Sequence, residues 1–414
     1  MAAVPLINDD RVVVGILISI IALVFYTSAL KHKYWKWFYT IFPSLLLCYM
    51  LPALLNSFNI ISSESTGTYT FAKDYTLPVA LVLLTLSVDI KGILNLGSKS
   101  LIMFLTGTVG VIIGGPIAML IFQVISPETV SGIGADATWR GMATIAGSWI
   151  GGGANQAAML EVYGYDQQKY GAMVLVDIVV ANIWMAILLF GISKSAIIDK
   201  WLKADTKAID ELKERVELAQ KDNIRNPSLQ DIFIILAFGF GATALSHYFG
   251  SMLTEFFASS PYWKDSVLNS QFFWVVVLAT TFGLILSYTK AKNYEGAGAS
   301  KIGGVMIYFL VATIGMKMNI FEIFKYPGLF FVGLTWMAIH AGLMILVAKI
   351  IKAPFFFLAV GSKANIGGAA SAPIVASAFH PSLAPVGVLL AVLGYALGTY
   401  GAIISAEIMS RIAF

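Results

Sequence analysis

Two stretches of this chain set polar side chains beside runs of glycine, and both lie inside apolar sequence. The first is Gly147-Ser148-Trp149-Ile150-Gly151-Gly152-Gly153-Ala154-Asn155-Gln156. The second is Gly361-Ser362-Lys363-Ala364-Asn365-Ile366-Gly367-Gly368-Ala369-Ala370-Ser371. A glycine inside a helix costs about 1 kcal/mol relative to alanine, so three in a row make a poor straight helix. They suit backbone that unwinds, approaches a neighbour closely, or offers amides and carbonyls to a ligand. Small-residue packing between helices is the alternative. Ser148, Asn155 and Gln156 argue against it, because polar side chains beside broken backbone form an anion or cation site.

Three further residues extend this constellation. Lys363 is expensive within apolar sequence and must face protein, a cavity or a counter-charge, unless it snorkels to the interface. Asp177 lies inside the apolar run Gly171–Ile192, with Asn182 five residues on, and an aspartate so placed is by default a proton or ion site. Asn155, Asp177 and Asn182 together offer oxygens that suit a sodium ion. His247 and His340 lack carboxylate neighbours in sequence and read as core or interface histidines rather than metal ligands. No GxxxxGK[ST] loop is present, which argues against ATP-driven transport, and no cofactor is expected beyond a coupling Na⁺ or H⁺.

The elements that must hold these residues are membrane helices. Of the 414 residues 58% are hydrophobic and only 12% charged, too little charge to coat a soluble globule of this size. The +4 net charge comes from basic residues in loops, which excludes nucleic acid as an expected partner and leaves a bilayer and a small solute. The single cysteine, Cys48, excludes an intramolecular disulfide. Apolar segments recur twelve times, six on either side of a hydrophilic insert at 195–230. That insert reads as a helical connector, with Trp201, Leu202, Ile209, Leu212 and Val216 near one face and the pairs Glu211–Arg215 and Glu217–Lys221 at i,i+4 spacing.

The halves flanking the insert resemble each other. Ile150-Gly151-Gly152-Gly153 lines up with Ile366-Gly367-Gly368-Ala369, each in the fifth segment of its half. Internal repeats of this kind point to a secondary transporter. Inverted repeats need an odd number of crossings per half, so one segment of each six must enter and leave on the same side, and the glycine-rich ones are the candidates. The expected organisation is a first repeat over 1–194, a cytoplasmic connector over 195–230 and a second repeat over 231–414. Lys31, Lys33 and Lys36, following the first span at once, put both chain ends outside.

The motifs Ser148–Asn155 and Lys363–Ser371, with Leu77–Gly97 and Gly171–Ile192, resemble the YjcL-like family of multi-pass membrane proteins. That family is similar to the superfamily of cation–proton antiporters, bile-acid:sodium symporters and the glutamate:sodium symporter. The resemblance implies an all-α integral membrane protein of the bacterial inner membrane, with two inverted repeats of about five transmembrane helices. Each repeat would carry one re-entrant or broken glycine-rich segment, in a core domain that moves against a scaffold domain that often forms a dimer, so a homodimer is expected. It also implies that Ser148, Gly151, Gly152, Gly153, Asn155, Gln156, Lys363, Asn365, Gly367, Gly368 and Ser371 form the substrate and ion site, and Ser362 joins the candidates by its place in the second motif. The paired aspartates of electrogenic antiporters are missing, since Val176 and Ile178 flank Asp177. The expectation is a secondary transporter of a small anionic or zwitterionic organic solute coupled to Na⁺ or H⁺. A monovalent cation/proton antiporter is the alternative, and an intramembrane enzyme the remote one.

Overall fold

The computed structural model describes residues 5–62, 66–209, 211–212, 226–259, 263, 266–321 and 325–413. An isolated bridge between Ile7 and Ile61 aside, the described residues carry no β-structure. Among the described residues six helices are long and apolar enough to cross a bilayer. They are α1 (Asp10–Ser28), α7 (Ser98–Ile125), α9 (Tyr170–Ile192), α11 (Leu229–Ala258), α14 (Gly328–Ile350) and α17 (Ala384–Ile412). Shorter or interrupted passes accompany them. α2 (Lys33–Ile41) bends by 78° into α3 (Ser44–Ser57), and α12 (Gln271–Ser287) bends by 95° into a 3-10 turn at Lys290–Ala297. α4 (Thr66–Phe71) runs through a π-helical turn at Ala72–Thr76 into α5 (Leu77–Leu86), and α13 spans Ala299–Gly315.

The glycine-rich segments are not straight passes. α8 (Thr138–Tyr163) breaks at Gly152, whose φ of 76° and ψ of −169° are open essentially to glycine alone. Beyond the break the chain returns. Gly147 packs against the Asn155 carbonyl, the Arg140 guanidinium donates to the Tyr163 carbonyl, and the Trp139 and Tyr163 rings lie 5.4 Å apart. A straight helix would hold Trp139 and Tyr163 about 36 Å apart. The second segment is broken in the same way, into α15 (Phe355–Asn365) and α16 (Gly368–Phe379), with Gly367 at φ 110° between them. Phe379 at its end packs 5.2 Å from Phe356 at its start. Each segment is a helical hairpin that enters and leaves on one side.

The hairpins open at opposite ends of α9. The mouth of the first adjoins Tyr170, where Asp166 N–H bonds the Ala135 carbonyl. The mouth of the second adjoins Gly191, where an added Cβ would stand 2.6 Å from the Phe355 ring. Loop contacts sort the chain accordingly. At one end Asn56 Nδ2 donates to the Met318 carbonyl, Asn319 N–H to Gln168 and Gln123 Nε2 to Ile412. At the other, Lys99 pairs with Asp205 at 3.0 Å, Asp205 N–H bonds the Lys352 carbonyl, and Ser87 donates to Glu295. Among the described residues the chain thus runs ten times between these two ends and folds back at the two hairpins. α10 (Ser195–Leu202) of the insert packs at that second end, with Lys349 over the Trp201 ring. Val216 and the partners Arg215, Glu217 and Lys221 of the expected charge pairs lie outside the described residues.

Packing divides the helices into two groups, and each group mixes the two halves of the chain. α7, α8 and α9 pack with α14, α15, α16 and α17, whereas α1, α3 and α4–α5 pack with α11, α12 and α13. The groups meet where α5 and α12 touch α8 and α17.

The fold-back is testable by cross-linking. In a Cys48→Ala background, Phe356→Cys with Phe379→Cys should be joined by a short bismaleimide, giving a product visible by intact mass. A straight span would keep the two thiols about 35 Å apart and yield none.

Candidate functional site

The site grows from the broken tips. A backbone interrupted inside a bilayer leaves amides and carbonyls that water cannot reach, so side chains must meet them. Asn155 and Asn365 do this with the same three bonds. Asn155 Nδ2 donates to the carbonyls of Gly151 and Tyr395 at 3.0 and 3.1 Å, and its Oδ1 accepts from Thr399 Oγ1 at 2.6 Å. Asn365 Nδ2 donates to the carbonyls of Gly361 and Phe104, both at 3.0 Å, and its Oδ1 accepts from Thr108 Oγ1 at 2.8 Å. Both amides are consumed in fastening the hairpins to α17 and α7. They are clamps rather than open ligands.

Beside the first clamp lies Asp177, seven residues into α9 and 5% exposed. Ser148 Oγ and Gln156 Nε2 donate to its Oδ2 at 2.6 and 3.2 Å, and Trp149 Nε1 donates to its Oδ1 at 2.7 Å. Three donors from one hairpin offset the several kcal/mol of burying a carboxylate. Lys363, 2% exposed, comes from the other hairpin. Its Nζ donates to the Ala181 carbonyl, one turn beyond Asp177 on α9, and its charge acts on that carboxylate. Lys363 is therefore a buried member of the cluster and does not snorkel.

Two buried polar atoms here have no hydrogen-bond partner, Gln156 Oε1 and Ser371 Oγ. Ser371 stands with Lys363 around Gly367, where an added Cβ would strike Ser371 Oγ and come within 3.2 Å of Lys363 Nζ. The first-turn amides of α16 open at the same point, where a helix start favours negative charge. Cation, hydroxyl and amides thus converge at one tip, and carboxylate and amide oxygen at the other. The arrangement suits a small solute bearing an anionic group, with a proton or cation on the Asp177 side.

Several expected site residues fall elsewhere. Asn182 is exposed on the outer face of α9, because five residues carry it about 140° around the helix from Asp177. Asn155 is occupied by its clamp. Asn155 and Asn182 therefore do not join Asp177 as the sequence suggested, and Gln156 is the amide that stands beside it. Among the described residues no three of His, Cys, Asp or Glu converge on a metal. Ser362 does not face the cluster; its hydroxyl lies 2.8 Å from both His340 Nε2 and Trp184 Nε1. The Gly107 carbonyl can only accept, so His340 Nδ1 carries the proton toward it at 3.1 Å and Nε2 accepts from Ser362.

Sequence patterning gave no hint of a second charged cluster, around Glu161 on the return limb of α8. Glu161 accepts from Tyr69 and Gln167 and lies 3.8 Å from Lys73, while Lys317 sits over the Tyr69 ring. Glu161 and Gln167 belong to the hairpin group, and Tyr69, Lys73 and Lys317 to the other, so the cluster bridges the two. At the opposite mouth Asp199 Oδ1 accepts the Phe355 N–H at 2.7 Å. Burial pushes the Asp199 carboxyl above its usual range, against the lowering effect of that amide.

The three adjoining glycines differ in what they tolerate. Gly151 packs against Gly398 and Asn155, Gly152 holds a conformation that L-residues avoid, and Gly153 meets nothing closer than Leu45 at 3.7 Å. Gly152→Ala should cost about 1–3 kcal/mol and lower the melting temperature of the purified protein. Gly153→Ala should leave it unchanged. Equal melting of both variants would place the break elsewhere.

With the geometry in place, comparison with known proteins supplies the relationship. Over 338 residues the chain is 23% identical to the uncharacterized membrane protein YjcL of Bacillus subtilis (strain 168), covering 79% of this chain and 80% of that protein. Residues 15–412 match a family described as a protein of unknown function, DUF819, and this multi-pass membrane protein belongs to that family.

Proposed function

We propose that this protein is a secondary active transporter of a small anionic or zwitterionic organic solute, coupled to Na⁺ or H⁺ through Asp177. The observation that carries the reading is the meeting of two oppositely opening hairpins at one buried site. There, Asp177 and Lys363 lie beside the unpartnered Gln156 Oε1 and Ser371 Oγ. Broken helices near mid-membrane are how transporters present helix ends to a solute and its coupling ion. In this reading the hairpin group carries the site past the other group, by alternating access of elevator type. The two sequence repeats, 1–194 and 231–414, would then be the inverted units that make both end states accessible. Lys363 beside Asp177 also suits a monovalent cation/proton antiporter. Asp177 would then exchange a proton for the cation, and no organic solute would be carried.

Reconstituted protein should show counterflow of a preloaded labelled solute, scanned over carboxylates and amino acids. Asp177→Asn should keep solute exchange but lose accumulation against a gradient, with Na⁺ and pH gradients imposed separately. Accumulation to the wild-type level would make Asp177 structural. Dissipation of a pH gradient by Na⁺ or K⁺ alone, without counterflow of any solute, would favour the antiporter.

The Glu161 cluster would separate each time the groups move. Glu161→Gln keeps the hydrogen-bonding shape and removes the attraction to Lys73 and Lys317, so the cluster should open more often. A cysteine at Val162, buried beside it, should then react several-fold faster with an impermeant maleimide in the Cys48→Ala background. An unchanged rate would make the cluster a static brace.

A further inference from the structure

The proposed transport site does not involve α2, which leaves both of its exposed faces without a protein partner. Of its nine residues only Trp35, Phe38 and Tyr39 turn partly inward, at i, i+3, i+4 spacing. The Tyr39 hydroxyl ties the helix to the end of α1, lying 2.9 Å from the Val24 carbonyl and 2.5 Å from Thr27 Oγ1. The remaining surface divides into two stripes. Tyr34, Trp37 and Ile41 form an apolar stripe with exposures of 75%, 64% and 46%. Lys33, Lys36 and Thr40 form a polar stripe beside it, all exposed. Lys31 adds a third cation, and the sequence has no acidic residue from Val12 to Ser63 to neutralise them.

Orientation adds a second, independent constraint. α2 turns 78° away from α3, so it lies across the direction of the pass it precedes. α3 ends beside Met318 and Ile320, just past α13, so its start, with α2, lies at the end where Lys290 and Lys292 stand. A short helix lying across the bundle at a basic end, apolar on one stripe and cationic on the next, matches a membrane–water interface. Aromatic rings enter the acyl boundary, while ammonium groups remain level with the phosphates.

We infer that α2 is an interfacial helix that binds anionic phospholipid headgroups through Lys31, Lys33 and Lys36, with Tyr34, Trp37 and Ile41 inserted in the leaflet. The bound lipid fixes the joint between α1 and α3, in the helix group that stays still in the proposed cycle, but the inference stands without transport. It is tested on the full chain in lipid nanodiscs, with Thr40→Cys in the Cys48→Ala background carrying an environment-sensitive fluorophore. Brominated phosphatidylglycerol and brominated phosphatidylcholine are compared as quenchers at equal mole fraction. Quenching by the anionic lipid should exceed that by the zwitterionic lipid, with enrichment of roughly fivefold per lysine at low salt. The excess should vanish in Lys31→Gln/Lys33→Gln/Lys36→Gln and shrink when salt is raised, while size-exclusion elution stays unchanged. Equal quenching by the two lipids, quenching by neither, or a preference that survives the triple substitution would each overturn the inference.

Discussion

A polypeptide broken inside a bilayer cannot leave its amides and carbonyls to water, and that constraint organises this molecule. Each hairpin tip strands backbone groups where an unmet partner costs several kcal/mol. Asn155 and Asn365 meet it with identical chemistry. Each amide nitrogen reaches back four residues within its own hairpin and across to a neighbouring helix, and each amide oxygen takes a threonine hydroxyl from that helix. The threonine lies four residues beyond the carbonyl, at Thr399 after Tyr395 and Thr108 after Phe104. A single turn of helix thus supplies both halves of each clamp. The clamps fix the tips to the long helices α17 and α7, and so set where every other polar group of the site can stand.

Polar groups freed from backbone duty then define the chemistry. Ser148, Trp149 and Gln156 surround Asp177 from one hairpin, while Lys363 and Ser371 reach the same region from the other. Asp177 on α9 and Lys363 on the second hairpin carry opposite charges, yet Lys363 Nζ bonds the Ala181 carbonyl instead of closing onto the carboxylate, which leaves capacity for a third party. His340 shows the contrasting case. Its two nitrogens are satisfied by Gly107 and Ser362, and Trp184 completes Ser362, so this chain of bonds is closed and works as a brace between α7, α9, α14 and α15.

The division into two helix groups gives the fold its second property. Contacts within each group are dense, whereas the seam between them at α5, α12, α8 and α17 is narrower and carries the Glu161 cluster at one end. The Glu161 side chain is nearly buried there, at 6% exposure against 32% for Lys73, so this link is a shielded contact between the groups rather than an open surface pair.

Much of this was written in local sequence. Low charge and long apolar runs dictate membrane helices, and runs of two or three glycines favour breaks, because helix propensity and hydration act residue by residue. Parity of the two halves pointed to one same-side segment in each, with the glycine-rich segments as candidates, and Asp177, Ser148, Gln156 and Lys363 stood out because charge and amide are costly in hydrocarbon. What local patterning could not decide is which neighbour each polar atom meets. Asn155 and Asn182 look equivalent as oxygen donors, yet one is spent on a clamp and the other faces outward. Trp149, His340 and Glu161 look like ordinary membrane residues until a partner from a distant segment arrives. Helix rotation and packing choose those partners, through contacts between residues up to more than two hundred positions apart. No pattern within one segment records that choice.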